Sequence, residues 1–260
     1  MNSFDDVAVE WHDHVAVVEI RRPPLNFFDV RLIENIAETF EALEQDDRCR
    51  AIVLAAQGKA FCAGADFSSN GKDLFKADSE NSAITLYQAA IRLYACKKPV
   101  VGAIHGAAIG GGLGLSLVPD FRVVSSDTRF AANFVKLGIH PGFGISLVLP
   151  RLIGQQRASL MLLTGRRIKG EEALEYGLAD RLVPTASVRG EAIALAAEIA
   201  QCAPLAVEST RATLRQGLVE DLNARLEHEF SEQVWLAKTS DHKEGMAAVS
   251  ERRAGHFTRN

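Results

Sequence analysis

The sequence predicts an α/β core of roughly 200 residues followed by a helical C-terminal extension. Three observations predict it. Short apolar strands alternate with amphipathic helices, two of those strands run directly into glycine-bearing loops, and nearly every segment beyond Ile145 has a helical pattern. We therefore expect a core over residues 1–185 and a helical region over residues 186–260.

The first quarter of the chain begins the alternation. Residues 7–20 contain two short β-rich runs and predict a hairpin. After Asp29, apolar residues recur at helical spacing with acidic residues between them, which predicts an amphipathic helix. Residues 49–56 form a short continuous apolar run, and a glycine-bearing loop follows it. This run is predicted to be a buried strand.

The next segments repeat the pattern. A second helix is predicted over about residues 82–95, and residues 97–106 contain a second buried strand that ends in glycine. Residues 121–126 and 128–133 predict another pair of strands. From Ile145 onward the apolar spacing is helical, and no repeat of fixed period is present.

Composition and charge exclude several classes of function. The chain has 260 residues, a net charge of −4 and no long run of Lys or Arg, so it lacks the basic surface of a nucleic-acid or membrane-surface binder. Its four cysteines form no C-x-x-C pair, which favours small buried thiols over disulfides or a zinc site. No apolar run reaches membrane-spanning length and no signal peptide is evident. We expect a cytoplasmic protein without a bound metal.

Two loops of small residues each follow a buried strand, "IVLAAQGKAFCAGAD" and "VVGAIHGAAIGGGLG". Small residues expose backbone N–H groups, and the first N–H groups of a helix lack intrahelical partners. Two such donors from separate loops make an oxyanion hole. The alternative is that the glycines only allow close packing of a helix against a strand, since the motif lacks the spacing of a nucleotide site.

These loops, together with "RPPLN", "LPRLIGQQRASLMLLTGRRIKGEEALEYGLADRLVP" and "DHKEGMAAVSERRAGHF", resemble the crotonase, or enoyl-CoA hydratase/isomerase, superfamily across nearly the whole chain. The resemblance implies a crotonase-like core of repeated ββα units and a C-terminal helical region used in trimer formation. It also implies a thioester carbonyl held between two backbone N–H groups, those of Ala65 and Gly111. Ala63, Ala65 and Phe67 would then hold the adenine and pantetheine ends of coenzyme A.

The same resemblance sets the expected partners. The substrate would be an acyl-CoA, with coenzyme A as part of the substrate and no separate cofactor. The protein would be a homotrimer or a hexamer built as a dimer of trimers. Nucleic acid and membrane are not expected partners.

The expected acids are absent from the sequence. Hydratases of the superfamily carry two glutamates at positions that correspond here to Gly114 and Phe134, and isomerases often place an acid at the position of Gly142. His140, in the turn "GIHPG", is the first candidate for the acid or base, because an imidazole titrates near neutral pH. Asp66 is the second. The alternatives are a surface-turn role for His140 and a loop-supporting role for Asp66.

Three functions remain open from the sequence. The first is an acyl-CoA enzyme of the enoyl-CoA hydratase/isomerase type that stabilises a thioester enolate in a backbone oxyanion hole. The second keeps the fold but hydrolyses a carbon–carbon bond of a diketone with His140. The third is an acyl-CoA-binding protein with little catalysis, which the missing glutamates would favour.

Overall fold

The computed structural model describes residues 6–65 and 80–260 of the chain. The candidate residues Asp66 and Phe67 lie outside these ranges. The strands of the described part are β1 (Val7–His12), β2 (Val15–Ile20), β3 (Ala51–Ala56), β4 (Val100–Ile104), β5 (Ala107–Ile109), β6 (Phe121–Val124), β7 (Arg129–Ala131), β8 (Arg167–Lys169) and β9 (Arg181–Leu182).

The α-helices alternate with these strands in the first part of the chain and dominate the second. They are α1 (Val30–Glu44), α2 (Glu80–Ala95), α3 (Gly111–Ser116), α4 (Ile145–Ile153), α5 (Gln155–Thr164), α6 (Gly170–Tyr176), α7 (Val188–Ala200), α8 (Pro204–Leu214), α9 (Leu218–Leu236) and α10 (Ser240–Glu251). Two short 3₁₀ turns complete the described helices, at Asn133–Leu137 and Thr185–Ser187.

Two sheets form the core. The larger has the order β1-β2-β3-β4-β6-β9, in which β1 and β2 form the predicted antiparallel hairpin and the remaining neighbours are parallel. The smaller has the order β5-β7-β8. The predicted α/β fold class is confirmed, with a mostly parallel larger sheet and a helical C-terminal region.

Helices cover both faces of the larger sheet. On one side α1 buries Leu32, Ile36 and Phe40, and Asp29 caps its N-terminus by accepting a hydrogen bond from the Leu32 backbone N–H at 2.9 Å. On the other side the alanines of α7, such as Ala196, pack with buried residues of the strands. This helix lies in the predicted C-terminal region, so that region supplies part of the core.

The segment from residue 145 to 185 departs in two places from the prediction that nearly every segment beyond Ile145 is helical. It contains β8, which pairs antiparallel with β7 through Ile168 and Phe130, and β9, which pairs with β6. β8 has three residues and β9 has two, which is too short to show the alternation of apolar and polar residues that indicates a strand.

The apolar residues of α9 divide into two groups. Leu222 and Leu226 are buried within the chain, whereas Trp235 is 53 % exposed. The sequence predicts that Leu222, Leu226, Phe230 and Trp235 supply apolar surface to neighbouring subunits. The first two are instead covered within the chain, Phe230 is half-buried, and Trp235 remains exposed. The assembly as a trimer or hexamer stays a prediction.

Within the described ranges, no single helix is long and apolar enough to cross a membrane. Thr185–Ala200 and Pro204–Leu214 reach the required length and composition only when taken together as a sharply bent pair. The described residues also contain no cluster of three or more potential metal ligands.

Candidate active site

A narrow cavity of about 90 Å³ lies where the two glycine-bearing loops meet. It is bounded mostly by apolar side chains and by backbone, with a few polar groups, which is typical of small-molecule sites. The predicted residues Ala63, Ala65 and Gly111 all line it. The other lining residues are Phe28, Gly64, Leu86, Tyr87, Ile109, Gly110, Asn133, Phe134, Leu137, Ile139, Gly142, Phe143 and Gln233.

The loop that carries Ala65 is fixed by Asn26. This side chain is buried, and its amide nitrogen donates hydrogen bonds to the carbonyl oxygens of Gln57 at 2.5 Å and Ala60 at 2.7 Å. Asn26 has a φ of 50°, a conformation that asparagine tolerates better than most residues. The backbone N–H of Phe28 then donates to the Gly64 oxygen at 3.0 Å. The "RPPLN" segment therefore sets the position of the first loop.

The two loops are joined to each other by a parallel β-bridge between Cys62 and Ala108. The Cys62 N–H donates to the Ala107 oxygen at 2.9 Å, and the Ile109 N–H donates to the Cys62 oxygen at 3.1 Å. These bonds fix Ala65 relative to Gly111, because each residue follows the bridge by three positions.

The glycine run is required by close approaches on two sides. A Cβ at Gly112 would lie 2.1 Å from the Cys62 carbonyl oxygen, and a Cβ at Gly111 would lie 2.4 Å from Phe28 Cζ. Gly110 has a φ of 57°, which is unfavourable for a residue with a side chain. The glycines therefore allow α3 to start directly against the first loop and beside the cavity.

Two backbone N–H groups in the cavity wall have no partner in the described part of the protein. Neither the Ala65 nor the Gly111 N–H donates a hydrogen bond to another described residue. Both residues line the cavity. Gly111 is buried and Ala65 is half-buried. Within the described ranges, both N–H groups are therefore free to donate to a ligand in the cavity.

A polar pair, which sequence reasoning missed, lies in another part of the cavity wall. Tyr87 on α2 donates its hydroxyl hydrogen to Gln233 Oε1 on α9 at 2.5 Å, and Gln233 Nε2 donates to the His140 carbonyl oxygen at 2.8 Å. Tyr87 is 8 % and Gln233 4 % exposed. In the sequence, Gln233 is notable only as a polar residue on the buried face of α9.

The positions expected to carry hydratase acids differ in their surroundings. Phe134 lines the cavity with its ring. Gly114 does not line it, and a Cβ there would lie 2.7 Å from Phe143 Cβ. The Phe143 ring packs in turn against Phe28, with centroids 5.8 Å apart. Apolar aromatic groups thus occupy the space beside Gly114.

The structure does not bring His140 to this cavity. Its Nδ1 lies 2.7 Å from the Pro141 carbonyl oxygen, and its ring contacts that of His228 at a centroid distance of 5.8 Å. His140 lines a different cavity, which it shares with Trp235 and Leu163. The turn of the chain at Pro141 is the reason: only the backbone carbonyl of His140 reaches the polar pair.

A buried carboxyl group supports the cavity wall from behind. Glu229 on α9 accepts hydrogen bonds from the Gly144 N–H at 2.8 Å, the Ser146 N–H at 3.0 Å and the Ser146 hydroxyl at 2.6 Å, and so caps α4. Burial raises the pKa of Glu229 to about 7, although these three donors act to lower it. The cap holds the turn containing Gly142 and Phe143 in place.

A second, basic cavity adjoins the first through Asn133, which lines both. Its remaining lining includes Lys136, Arg166 and Arg167 from the core, and Arg252 and Arg253 from the end of α10. Arg253 is paired with Glu244 and Glu251. The two cavities together place an apolar site beside a positively charged one.

Comparison with known proteins gives a consistent result along the whole chain. The family described as "Enoyl-CoA hydratase/isomerase" matches residues 10–260. A short-chain-enoyl-CoA hydratase of Clostridium acetobutylicum is 33 % identical over 252 residues, covering 96 % of each protein. An (E)-benzylidenesuccinyl-CoA hydratase of Thauera aromatica is 35 % identical over 260 residues, covering 96 % of this chain and 98 % of that protein.

A solved structure shows the same similarity. The crystal structure of an enoyl-CoA hydratase/isomerase from Pseudoalteromonas atlantica superimposes with a TM-score of 0.86 at 30 % identity. The match covers 98 % of this chain and all of that one.

Proposed function

Because the chain belongs to the enoyl-CoA hydratase/isomerase family, we propose that it binds a coenzyme A thioester and stabilises the thioester enolate between the backbone N–H groups of Ala65 and Gly111. An enolate places negative charge on the former carbonyl oxygen. Two preorganised donors in a site that excludes water favour that charge far more than water itself would.

The observation that carries this proposal is that two N–H groups in one apolar cavity have no partner among residues 6–65 and 80–260. Ala65 and Gly111 come from separate loops, yet the bridge between Cys62 and Ala108 keeps the loops in fixed register. Fixed donors do not have to reorganise when charge develops, and this is the source of their catalytic effect.

Fast hydration of an enoyl-CoA is not the reaction that this site favours. We propose that Gly114 and Phe134 occupy the positions of the hydratase glutamates, so that neither supplies a carboxylate to activate water. A general acid or base contributes typically ~10²- to 10⁴-fold. Hydration of crotonyl-CoA should therefore be slower by several orders of magnitude than in an enzyme with both glutamates.

The coenzyme A portion would extend away from the enolate along the first loop. Ala63 and Ala65, with Phe67 beyond the described residues, would hold its pantetheine and adenine ends. The phosphates would find positive charge at the adjoining cavity, where Arg166 and Arg167 face the end of α10.

The proposal is tested by comparing two ligands that differ only at the carbonyl. Butyryl-CoA has the thioester oxygen, whereas S-butyl-CoA, a thioether, has a methylene in its place. If both N–H groups bind that oxygen, calorimetry should show that the thioether binds about tenfold or more weakly. Equal affinity for the two ligands would contradict the assignment of Ala65 and Gly111.

A turnover assay separates an enzyme from a binding protein. A panel of unsaturated acyl-CoAs of increasing length is incubated with the protein, and the products are measured by chromatography. We expect slow but protein-dependent conversion of at least one short member, and tight binding without any conversion would instead favour an acyl-CoA-binding protein.

A further inference from the structure

Among the described residues, one group in the cavity wall can exchange a proton. Of the described residues that line it, Tyr87 is the one with a titratable side chain. The other polar side chains in that lining, Asn133 and Gln233, do not ionise. Any proton transfer by the described lining must therefore involve the Tyr87 hydroxyl.

The fold directs this hydroxyl to the cavity and holds it there. A Cβ at Gly142, which also lines the cavity, would lie 2.7 Å from the Tyr87 hydroxyl oxygen and 2.6 Å from Gln233 Nε2. The absence of a side chain at Gly142 thus leaves the space that the polar pair occupies. Gln233 fixes the direction of the hydroxyl, since its amide is itself anchored on the His140 carbonyl oxygen.

Burial first, and then the Glu229 carboxyl, keep nearly all of the Tyr87 phenol in its neutral form. Burial raises the pKa of Tyr87, and the Glu229 carboxyl on α9 raises it further. Glu41 on α1 forms its ion pair with Arg92 on α2, so its carboxylate has a partner other than Tyr87. The turn that precedes α4 presents the His140 backbone carbonyl to the pair.

We propose that Tyr87 is the catalytic residue that removes and returns the proton at the α carbon of the bound thioester, and that Gln233 positions it. This inference rests on the proposed function, because the enolate oxygen needs the N–H groups of Ala65 and Gly111. The reaction class that follows is enolisation, as in movement of a double bond, without addition of water.

This proton transfer needs no further reactant. The step starts from the small fraction of molecules in which Tyr87 has lost its hydroxyl proton to solvent and is a phenolate. The phenolate oxygen then forms an O–H bond with the α hydrogen, the Cα–H bond breaks, and its electron pair forms the C=C bond of the enolate. The carbonyl π electrons move to the oxygen held by the two N–H groups, and the reverse step returns a proton to carbon.

Exchange of α hydrogens for deuterium measures this step directly. Butyryl-CoA is incubated with the protein in D₂O, and its mass is followed after subtraction of the protein-free rate. Tyr87→Phe removes the hydroxyl and keeps the ring, so exchange should fall by about 10²- to 10⁴-fold while the affinity for butyryl-CoA changes by less than about threefold.

Tyr94→Phe is the matched control on the same helix. Tyr94 is also buried, and burial also raises its pKa, but its hydroxyl donates to the Gly114 carbonyl oxygen at 3.3 Å and the residue does not line the cavity. Exchange in this variant should stay within about threefold of the unmodified protein. An equal loss in both variants would overturn the inference.

The dependence on pH distinguishes a phenol from an imidazole. Between about pH 8 and 9, above the range in which Glu229 titrates, the phenolate fraction rises about tenfold per pH unit, and the exchange rate should rise with it. A rate that has already reached a plateau there would assign the step to a group of lower pKa and overturn the role of Tyr87.

Failure of this inference can be told apart from failure of the proposed function. Binding of butyryl-CoA without exchange, or full exchange in Tyr87→Phe, would overturn the role of Tyr87 and leave the oxyanion site intact. No binding of butyryl-CoA by the unmodified protein would overturn both.

Discussion

Cys62 and Ala108 pair in a parallel β-bridge, and Ala65 and Gly111 each lie three residues beyond it. The equal offset brings two backbone N–H groups from distant parts of the chain to one cavity. The bridge depends on close contact between the loops, which Gly112 permits because its α carbon packs against the Cys62 carbonyl group.

Gly112→Ala should separate the two loops. Its Cβ would lie 2.1 Å from the Cys62 carbonyl oxygen, and backbone cannot move aside as a flexible side chain can. We expect a loss of about 1–3 kcal/mol in the free energy of unfolding, as for other overpacked sites. Binding of butyryl-CoA should weaken as well, although Gly112 is not in the cavity wall. Urea unfolding and calorimetry measure the two effects.

Gly190→Ala is the control for this substitution. Gly190 lies in α7, and a Cβ there would meet nothing within 4 Å. Alanine in an exposed helix is favoured over glycine, so this variant should be more stable by about 0.4–1 kcal/mol and should bind butyryl-CoA unchanged. Similar behaviour of the two variants would show that the contact at Cys62 does not hold the loops.

Gly114→Glu should not create a hydratase. A Cβ at this position would lie 2.7 Å from Phe143 Cβ, and the carboxylate would enter an apolar cluster that also contains Phe28. We expect a loss of stability of about 1–3 kcal/mol or more, with crotonyl-CoA hydration still slow. Combination with Phe143→Ala should relieve part of the steric cost. A fast hydratase from the single substitution, measured by loss of the enoyl absorbance, would contradict this placement.

The sequence predicted the loops of the site better than its side chains. The strands before each loop and the glycine run are local signals that predict the two loops, and the family resemblance named Ala63, Ala65 and Gly111 within them. All three residues line one cavity, while their roles stay a prediction. Tyr87 and Gln233 are 146 residues apart in the chain and lie on different helices, and each has the spacing of an ordinary core position. Only tertiary packing shows that they meet.

His140 illustrates the converse. Its position in a turn between two glycines suggested a catalytic group, because an imidazole is the common acid or base near neutral pH. The sequence could not show the direction of the ring. That direction depends on how the turn at Pro141 packs against α9, where His228 meets the imidazole.

His140→Ala should therefore leave α-hydrogen exchange and butyryl-CoA binding within about threefold of the unmodified protein. The backbone carbonyl that anchors Gln233 is retained in the variant. Exchange in D₂O and calorimetry provide the measurements. A loss of exchange with intact binding would instead place the imidazole in the reaction.

Exposed apolar residues on the C-terminal helices predict self-association. Leu205 and Leu214 on α8 are 80 % and 81 % exposed, and Trp235 is 53 % exposed. Where such residues form a contiguous patch, they mark an interaction surface. Light scattering at micromolar concentration should give the mass of a trimer or a hexamer. Leu205→Glu with Leu214→Glu should lower that mass if α8 forms an interface, and a monomeric unmodified protein would contradict the prediction.

Glu229 should make stability depend on pH. Burial raises its pKa from the ordinary value of 4.5 to about 7, so between these values the folded protein binds a proton that the unfolded chain has released. The free energy of unfolding must then fall as pH rises through this range. A pKa shift of this size corresponds to about 3 kcal/mol of stability. This stability is fully present below pH 4.5 and is lost above about pH 7.

Glu229→Gln isolates this contribution, because every other titrating group is shared by the two proteins. Gln keeps an oxygen acceptor for the N–H groups of Gly144 and Ser146 but cannot ionise, so the variant does not lose this stability as pH rises. We expect its free energy of unfolding, relative to that of the unmodified protein, to increase by about 3 kcal/mol between about pH 4 and pH 8. Urea unfolding of both proteins across that range measures the difference. A constant difference would mean that Glu229 is ionised throughout in the folded protein and that the three donors at α4 outweigh the effect of burial.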